Sequence, residues 1–332
     1  MSMSKCVICL RFVGVFITNF AKESQRYMLR LKTKIINNFK LHKMKSNTII
    51  TAATAPTQFT DVNGTAFAYR RFGNKAALPL VHLQHFTGTM ENWDPKVLDA
   101  LAQDREIIIF DNRGVASTGG KTPDSIAGIA KDAADFIKSL GLGKVDLLGF
   151  SMGGMVAQQV TLDNPELINR LVLLGTAPRG GHDIEDFTPE VWAIFAKQFP
   201  TEFEIVLETL LSPTPTSQLA GQAFLDRIKN QRTEGRDTKI TEQVGPAQST
   251  AITEWARMTP GNYSYLKAIK QPVFVLTGHN DIIFPSVNSF ILQQNLPDAQ
   301  LIIYPDSNHG AQYQFPELFV NQLTTFLAGS KQ

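Results

Sequence analysis

Two hydrophobic periods divide this chain. From Gln58 onward, short unalternated apolar runs recur, separated by longer segments whose apolar residues repeat every three to four positions. The first pattern suits strands buried on both faces, and the second suits amphipathic helices. Leu78–Leu83, Glu106–Phe110, Val145–Phe150, Leu171–Leu174, Pro272–Leu276 and Leu301–Tyr304 are the predicted strands. Asn63-Gly64 marks a hairpin turn, with Thr65–Arg71 as the hairpin's second strand. Ser125–Leu140 places Ile126, Ile129, Ala133, Phe136, Ile137 and Leu140 on one helical face and stops at Gly141 and Gly143. Gly153–Asn164 is a second helix, halted by Asn164-Pro165, and Phe315–Ala328 a last one. Strands alternating with helices at this spacing predict an α/β fold: a mostly parallel sheet with helices on both faces.

Between Arg179 and Ile269 the alternation breaks. Pro189–Phe199, Glu202–Leu211, Ser217–Asn230 and Glu242–Met258 all read as helices, with Pro213, Pro215, Gly221 and the polar run Gln231–Lys239 between or within them. This predicts a helical cap, about residues 180–269, inserted between two strands of a domain spanning 58–332. Ahead of the domain, residues 46–57 are rich in Ser, Thr and Ala and read as a linker.

Charge sharpens the boundary. Residues 1–45 carry ten Lys/Arg against Glu23 alone, whereas the other 287 residues carry 22 Lys/Arg against 29 Asp/Glu. A mildly acidic body offers no footprint for nucleic acid. The basic leader, residues 1–57 with the linker, is expected to be disordered or an extension foreign to the fold, with synthesis starting at Met44. Its apolar stretch is interrupted by Arg11 and is too short to span a membrane. Secretion or organelle targeting stays open; the expectation for the body is cytoplasmic. The only cysteines, Cys6 and Cys9, lie in the leader, so the body needs no disulfide.

Gly149-Phe150-Ser151-Met152-Gly153 matches G-x-S-x-G and sits where the motif's mechanics require it, between a buried strand and a helix. Such a turn tolerates only small flanking residues and lifts the serine hydroxyl to a helix N-terminus, where the dipole favours developing negative charge. A serine hydroxyl is a poor nucleophile at neutral pH, so a base and an orienting acid are needed. Asp281 follows the strand Pro272–Leu276, and His309 follows Leu301–Tyr304. All three therefore fall on loops at strand C-terminal ends, in the order Ser, acid, His. Taken singly, Asp281 reads as a turn residue and His309 as a loop histidine; their joint placement makes a triad. His82, His85, His182 and His279 have packing or solvent-facing readings, and His42 lies in the leader. No metal-ligand spacing and no nucleotide-binding glycine pattern occurs, so no metal and no cofactor is expected.

With these residues in place, the chain from about Gln58 resembles the α/β-hydrolase superfamily, in its capped serine esterase, lactonase and haloperoxidase-like branch. Asp111-Asn112-Arg113-Gly114 looks like the Asp-x-Arg-Gly loop of those enzymes, and Asn92-Trp93-Asp94-Pro95 like the stretch after their oxyanion loop. The resemblance implies hydrolysis of a carboxylic ester or related acyl bond through an acyl-serine formed on Ser151. His309 would shuttle the proton and Asp281 would hold the imidazole. The N–H groups of Met152 and Thr87 would form the oxyanion hole. Two departures stand out: Phe86 occupies a usual glycine position, which leaves the choice between Phe86 and Thr87 open, and Ala116 replaces another common glycine. A serine nucleophile argues against the dehalogenases and epoxide hydrolases of the superfamily, which attack with Asp. Carbon–carbon bond hydrolysis, lactonase or perhydrolase activity with the same triad, and a non-catalytic ligand receptor, are the alternatives. The expected partner is a small, largely apolar ester-like molecule, and self-association is compatible with all of these readings.

Overall fold

The computed structural model describes residues 50–199, 204–232, 234–259 and 262–329. The leader, with Cys6 and Cys9, lies outside the described residues, and so does Phe203 of the insertion. The strands are β1 (Gln58–Val62), β2 (Thr65–Gly73), β3 (Leu80–Leu83), β4 (Glu106–Phe110), β5 (Val145–Phe150), β6 (Ile168–Leu174), β7 (Val273–Gly278) and β8 (Ala299–Tyr304). They form one eight-stranded sheet in the order β1-β2-β4-β3-β5-β6-β7-β8, parallel from β4 to β8 and antiparallel at the β1–β2 and β2–β4 pairings.

The hairpin turn is where the dipeptide signal placed it. Val62 pairs with Thr65, and Asn63 and Gly64 take φ values of 54° and 79°, the left-handed pair that a two-residue turn between twisted strands requires. Every residue of β4 and β5 is buried, which is why neither run alternates. Packed around the sheet are α1 (Pro95–Leu101), α2 (Ile126–Ser139), α3 (Met152–Asp163), α8 (Val287–Asn295), α9 (Ala311–Gln314) and α10 (Pro316–Leu327). The Ser125 side chain caps α2 by accepting the Gly128 N–H, and the helix lays Phe136 against Phe110 with ring centroids 4.2 Å apart. Helices α1 and α8 lacked a clear hydrophobic repeat. Helix α1 starts at Pro95 behind Asp94, whose carboxylate accepts the Lys96 N–H.

Between β6 and β7 there is no strand among the described residues; the segment holds α4 (Pro189–Phe195), α5 (Ile205–Thr209), α6 (Pro215–Asn230), α7 (Val244–Arg257) and a 3-10 turn at Ser264–Ala268. Residues 50–57, expected to be linker, are attached to the body instead. Ala52 and Ala55 are buried, the Ala52 N–H donates to Asp99 Oδ1 at 2.7 Å, and Arg232 donates to the carbonyls of Ala52 and Ala55. Small alanines let the strand of backbone sit close enough for these bonds, a signal that composition alone reads as flexibility.

His82 of β3 is fully buried, edge-on to Trp93 at 4.8 Å, and neither ring nitrogen has a partner among the described residues. Burial pushes its pKa down to about 3. The folded protein therefore holds this imidazole neutral while the unfolded chain protonates it below the ordinary value of 6.5. Stability contributed by the neutral ring is complete above that value and is lost as pH falls towards 3. Urea unfolding between pH 6 and pH 4 should show the parent losing about 1.4 kcal/mol per pH unit more than His82→Leu, the slope of one proton. Equal slopes would show that His82 does not titrate this way.

Candidate active site

Strand β5 ends at Phe150 and helix α3 begins at Met152, so a single residue, Ser151, makes the whole turn. It does so at φ 57°, ψ −123°, a conformation unfavourable for any residue with a side chain. Crowding enforces it. A Cβ at Gly149 would lie 2.1 Å from the Gly153 carbonyl oxygen, and one at Gly153 would lie 2.3 Å from that of Leu83. The serine backbone is tied on both sides: its N–H donates to Leu174 O at 2.9 Å and its carbonyl accepts the Thr176 hydroxyl at 2.8 Å. The nearly buried Ser151 thus stands at the N-terminus of a twelve-residue helix.

Neighbouring strands end level with it. Gly175 N–H reaches Leu276 O at 2.8 Å, and His279 N–H reaches Tyr304 O at 2.9 Å, so the chain leaves β5, β6, β7 and β8 at one edge of the sheet. From β7 comes Asp281. Its Oδ1 accepts the backbone N–H groups of Ile283 and Phe284 at 3.0 and 2.9 Å, which fixes the carboxylate plane. From β8 comes His309, whose Nδ1 lies 2.9 Å from Asp281 Oδ2. Since an ionised carboxylate can only accept, the Nδ1 carries the hydrogen and Nε2 is left as the basic nitrogen. The ring is gripped by Phe150 at 5.0 Å and Phe284 at 5.5 Å, centroid to centroid. Phe150 precedes Ser151, so the histidine packs directly against the elbow.

The loop bearing His309 is also held by the inserted helices. Asn308 Oδ1 accepts the Ile282 N–H, Asn308 Nδ2 donates to Leu211 O, and the Gly310 N–H donates to Leu210 O at 2.8 Å. A Cβ at Gly310 would sit 2.7 Å from that of Leu210, so glycine is required for this approach. Farther out, Arg227 of α6 grips Asp94 in a two-pronged ion pair, with distances of 2.9 and 2.6 Å.

Thr87, expected to supply an oxyanion N–H, spends it elsewhere. The Thr87 N–H donates to Gln248 Oε1 of α7 at 2.6 Å, and Thr87 itself has φ 55°. One bond earlier along the chain, the Phe86 carbonyl accepts from His85 Nδ1 at 2.9 Å. Nothing near His85 along the chain signals this partner, because Gln248 stands 161 residues beyond Thr87. Gln248 was therefore missed, although its place was visible in principle: it is a polar residue on the packed face formed by Val244, Ala251, Ile252 and Trp255. His85 is only half-buried as a residue, yet loss of water around its ring pushes its pKa down to about 4, and proximity to His309 adds to the shift.

The Asp-x-Arg-Gly loop is structural. Asp111 Oδ1 accepts the Met90 N–H, and Arg113 pairs with Asp132 at 2.8 Å. Burial and the nearby Asp237 carboxyl push the Asp111 pKa well above the usual range. Ala116 has φ 47°, which explains why glycine is common at that position. Of the other histidines, His182 is exposed beside Asp183 and His279 is exposed. Among the described residues no group of His, Cys, Asp and Glu is placed to hold a metal ion, and no helix is long and apolar enough to cross a membrane.

Comparison with known proteins agrees with this architecture. Residues 79–316 match the family described as alpha/beta hydrolase fold. A solved alpha/beta hydrolase fold protein from Chitinophaga pinensis is 41% identical, with a TM-score of 0.78 over 83% of this chain and 98% of its own. A 2-hydroxy-6-oxo-6-(2'-aminophenyl)hexa-2,4-dienoic acid hydrolase from Metapseudomonas resinovorans is 26% identical over 82% of this chain and 90% of its own. A protein named putative carbamate hydrolase RutD, from Agrobacterium fabrum, is 24% identical over 74% of this chain and 91% of its own. The match covers well over half of the sequence, and the chain belongs to the α/β-hydrolase family.

Proposed function

We propose that this protein is a serine hydrolase that cleaves a carboxylic ester or related acyl bond of a small, largely apolar molecule. The observation that carries the reading is the Asp281–His309 pair, held at 2.9 Å and packed against the strained elbow of Ser151. Ser151 Oγ attacks the acyl carbon while His309 Nε2 takes its proton. The proton then passes to the leaving alcohol, and water attacks the acyl-serine with His309 again as base. Asp281 holds the tautomer and stabilises the imidazolium. The oxyanion meets the Met152 N–H at the start of α3. Because the Thr87 N–H is engaged by Gln248, the second donor in this reading is the Phe86 N–H. The segment that carries it lies against the elbow, since the Leu83 and Gln84 carbonyls face Gly153.

The inserted helices act as the cap in this reading. They bear no triad member, yet Leu210 and Leu211 border the His309 loop. A second reading, hydrolysis of a carbon–carbon bond with the same triad, draws support from the 26% identical relative named as a dienoic acid hydrolase. Turnover of short-chain p-nitrophenyl esters against vinylogous diketones separates the two.

On either reading Ser151→Ala should fold like the parent and lose well over roughly a hundred-fold in turnover, because the covalent route disappears. A variant that keeps most of its activity would show that Ser151 is not the nucleophile. The eight bulky residues Trp192, Phe195, Phe199, Phe203, Leu207, Leu211, Phe224 and Trp255 test the cap. Trp255 is buried with its Nε1 on Ala177 O, and Phe224 stacks on Tyr313 at 4.2 Å, so these two serve packing. Leu211→Ala, whose backbone carbonyl holds Asn308 of the His309 loop, should shift the preference between ester chain lengths by roughly ten- to two-hundred-fold. The more exposed Trp192 and Phe195 should leave it unchanged. An alanine scan in which every variant keeps the parent's ranking of esters would remove the insertion from specificity.

A further inference from the structure

The Phe86–Thr87 peptide is held at both polar ends. Its carbonyl accepts from His85 Nδ1 at 2.9 Å, and its N–H donates to Gln248 Oε1 at 2.6 Å. A carbonyl can only accept, so His85 carries its hydrogen on Nδ1 in this arrangement. Two partners are needed because Thr87 pays for the peptide's orientation with a left-handed backbone at φ 55°, which a β-branched residue adopts only under constraint. Rotating this peptide by half a turn would exchange the places of the Phe86 carbonyl and the Thr87 N–H and break both bonds, loosening the loop on which Phe86 stands.

Gln248 is a poor choice for packing alone. It is completely buried, its Oε1 makes the bond to Thr87, and its Nε2 has no partner among the described residues. A buried amide with an unmet donor costs more than an apolar side chain of the same size. It stands on α7, in the insertion, and reaches across to the loop after β3.

We propose that Gln248 is a positioning residue for the oxyanion hole: its side-chain carbonyl anchors the Thr87 N–H and so holds the neighbouring Phe86 in place, with the Phe86 N–H of the preceding peptide as the donor to the reacting carbonyl. The hole is then assembled jointly by the body and the inserted helices, and it is complete only with α7 docked. This rests on the acyl-serine reading of Ser151.

The test uses the full chain with p-nitrophenyl butyrate, comparing Gln248→Met, which keeps the volume and removes the acceptor, with Gln248→Glu, which keeps an acceptor oxygen. Circular dichroism checks folding. Gln248→Met should lower kcat by ten-fold or more with KM changed less than about three-fold, and should weaken inhibition by a trifluoromethyl ketone, which mimics the oxyanion, in proportion to kcat. Gln248→Glu should recover most of that loss. A folded Gln248→Met with the parent's kcat overturns the proposal, and so does a Gln248→Glu that loses as much as Gln248→Met. If Gln248→Met does not fold, Gln248→Glu decides: kcat and ketone inhibition within about three-fold of the parent support the acceptor role, and a ten-fold loss of both overturns it. Ser151→Ala runs alongside; turnover surviving in that variant would defeat the acyl-serine reading itself, independently of what Gln248 does.

Discussion

Three pieces of backbone meet with no room for a side chain at the turn between β5 and α3, and the rest of the site depends on that approach. The Leu83 and Gln84 carbonyls press on Gly153, and the Gly153 carbonyl presses on Gly149. Ser151, between them, is left with a conformation it would not adopt alone. The cost is offset by the sheet on either side: β5 is buried along its whole length, paired with β3 and β6, and Ser151 itself continues the ladder to Leu174. A strained residue persists only where its surroundings are over-determined, and a fully buried central strand is the strongest such surrounding this fold has.

The same edge gathers the partners. Parallel strands with right-handed crossovers must present all their C-terminal ends on one side, so the loops after β5, β7 and β8 are brought together whatever their sequences. What the loop residues add is orientation. Ile283 and Phe284 point their N–H groups at Asp281, Asn308 bridges to Ile282, and two phenylalanines clasp the imidazole. The inserted helices contribute to the same network through Leu210 and Leu211 on one side and Gln248 on the other. They are therefore coupled to the site's geometry as well as placed near it.

Most of the sheet was legible along the chain because burial on both faces leaves a plain mark: uninterrupted β-branched and leucine runs of strand length. Glu106–Phe110 and Val145–Phe150 coincide with the predicted segments to the residue, and Asn63-Gly64 announced its own backbone conformation. Helices α1 and α8 and the attachment of residues 50–57 left no such mark, since their burial depends on partners far away in sequence. The carbonyls of Ala52 and Ala55 are held by Arg232, 180 and 177 residues later. Composition could only register them as small.

The sequence alone determined the fold class, the elbow, and the order in which Ser151, Asp281 and His309 arrive at strand ends, because these follow from local rules of turn sterics, periodicity and sheet handedness. It could not determine whether the Thr87 N–H is free. That depends on the direction of one peptide, Phe86–Thr87, and a peptide's direction is decided by whatever hydrogen-bonding groups surround it. Here those groups are His85 beside it and Gln248 from a distant helix. Only the tertiary structure brings Gln248 there, since a hydrogen bond acts over about 3 Å and takes no account of separation along the chain.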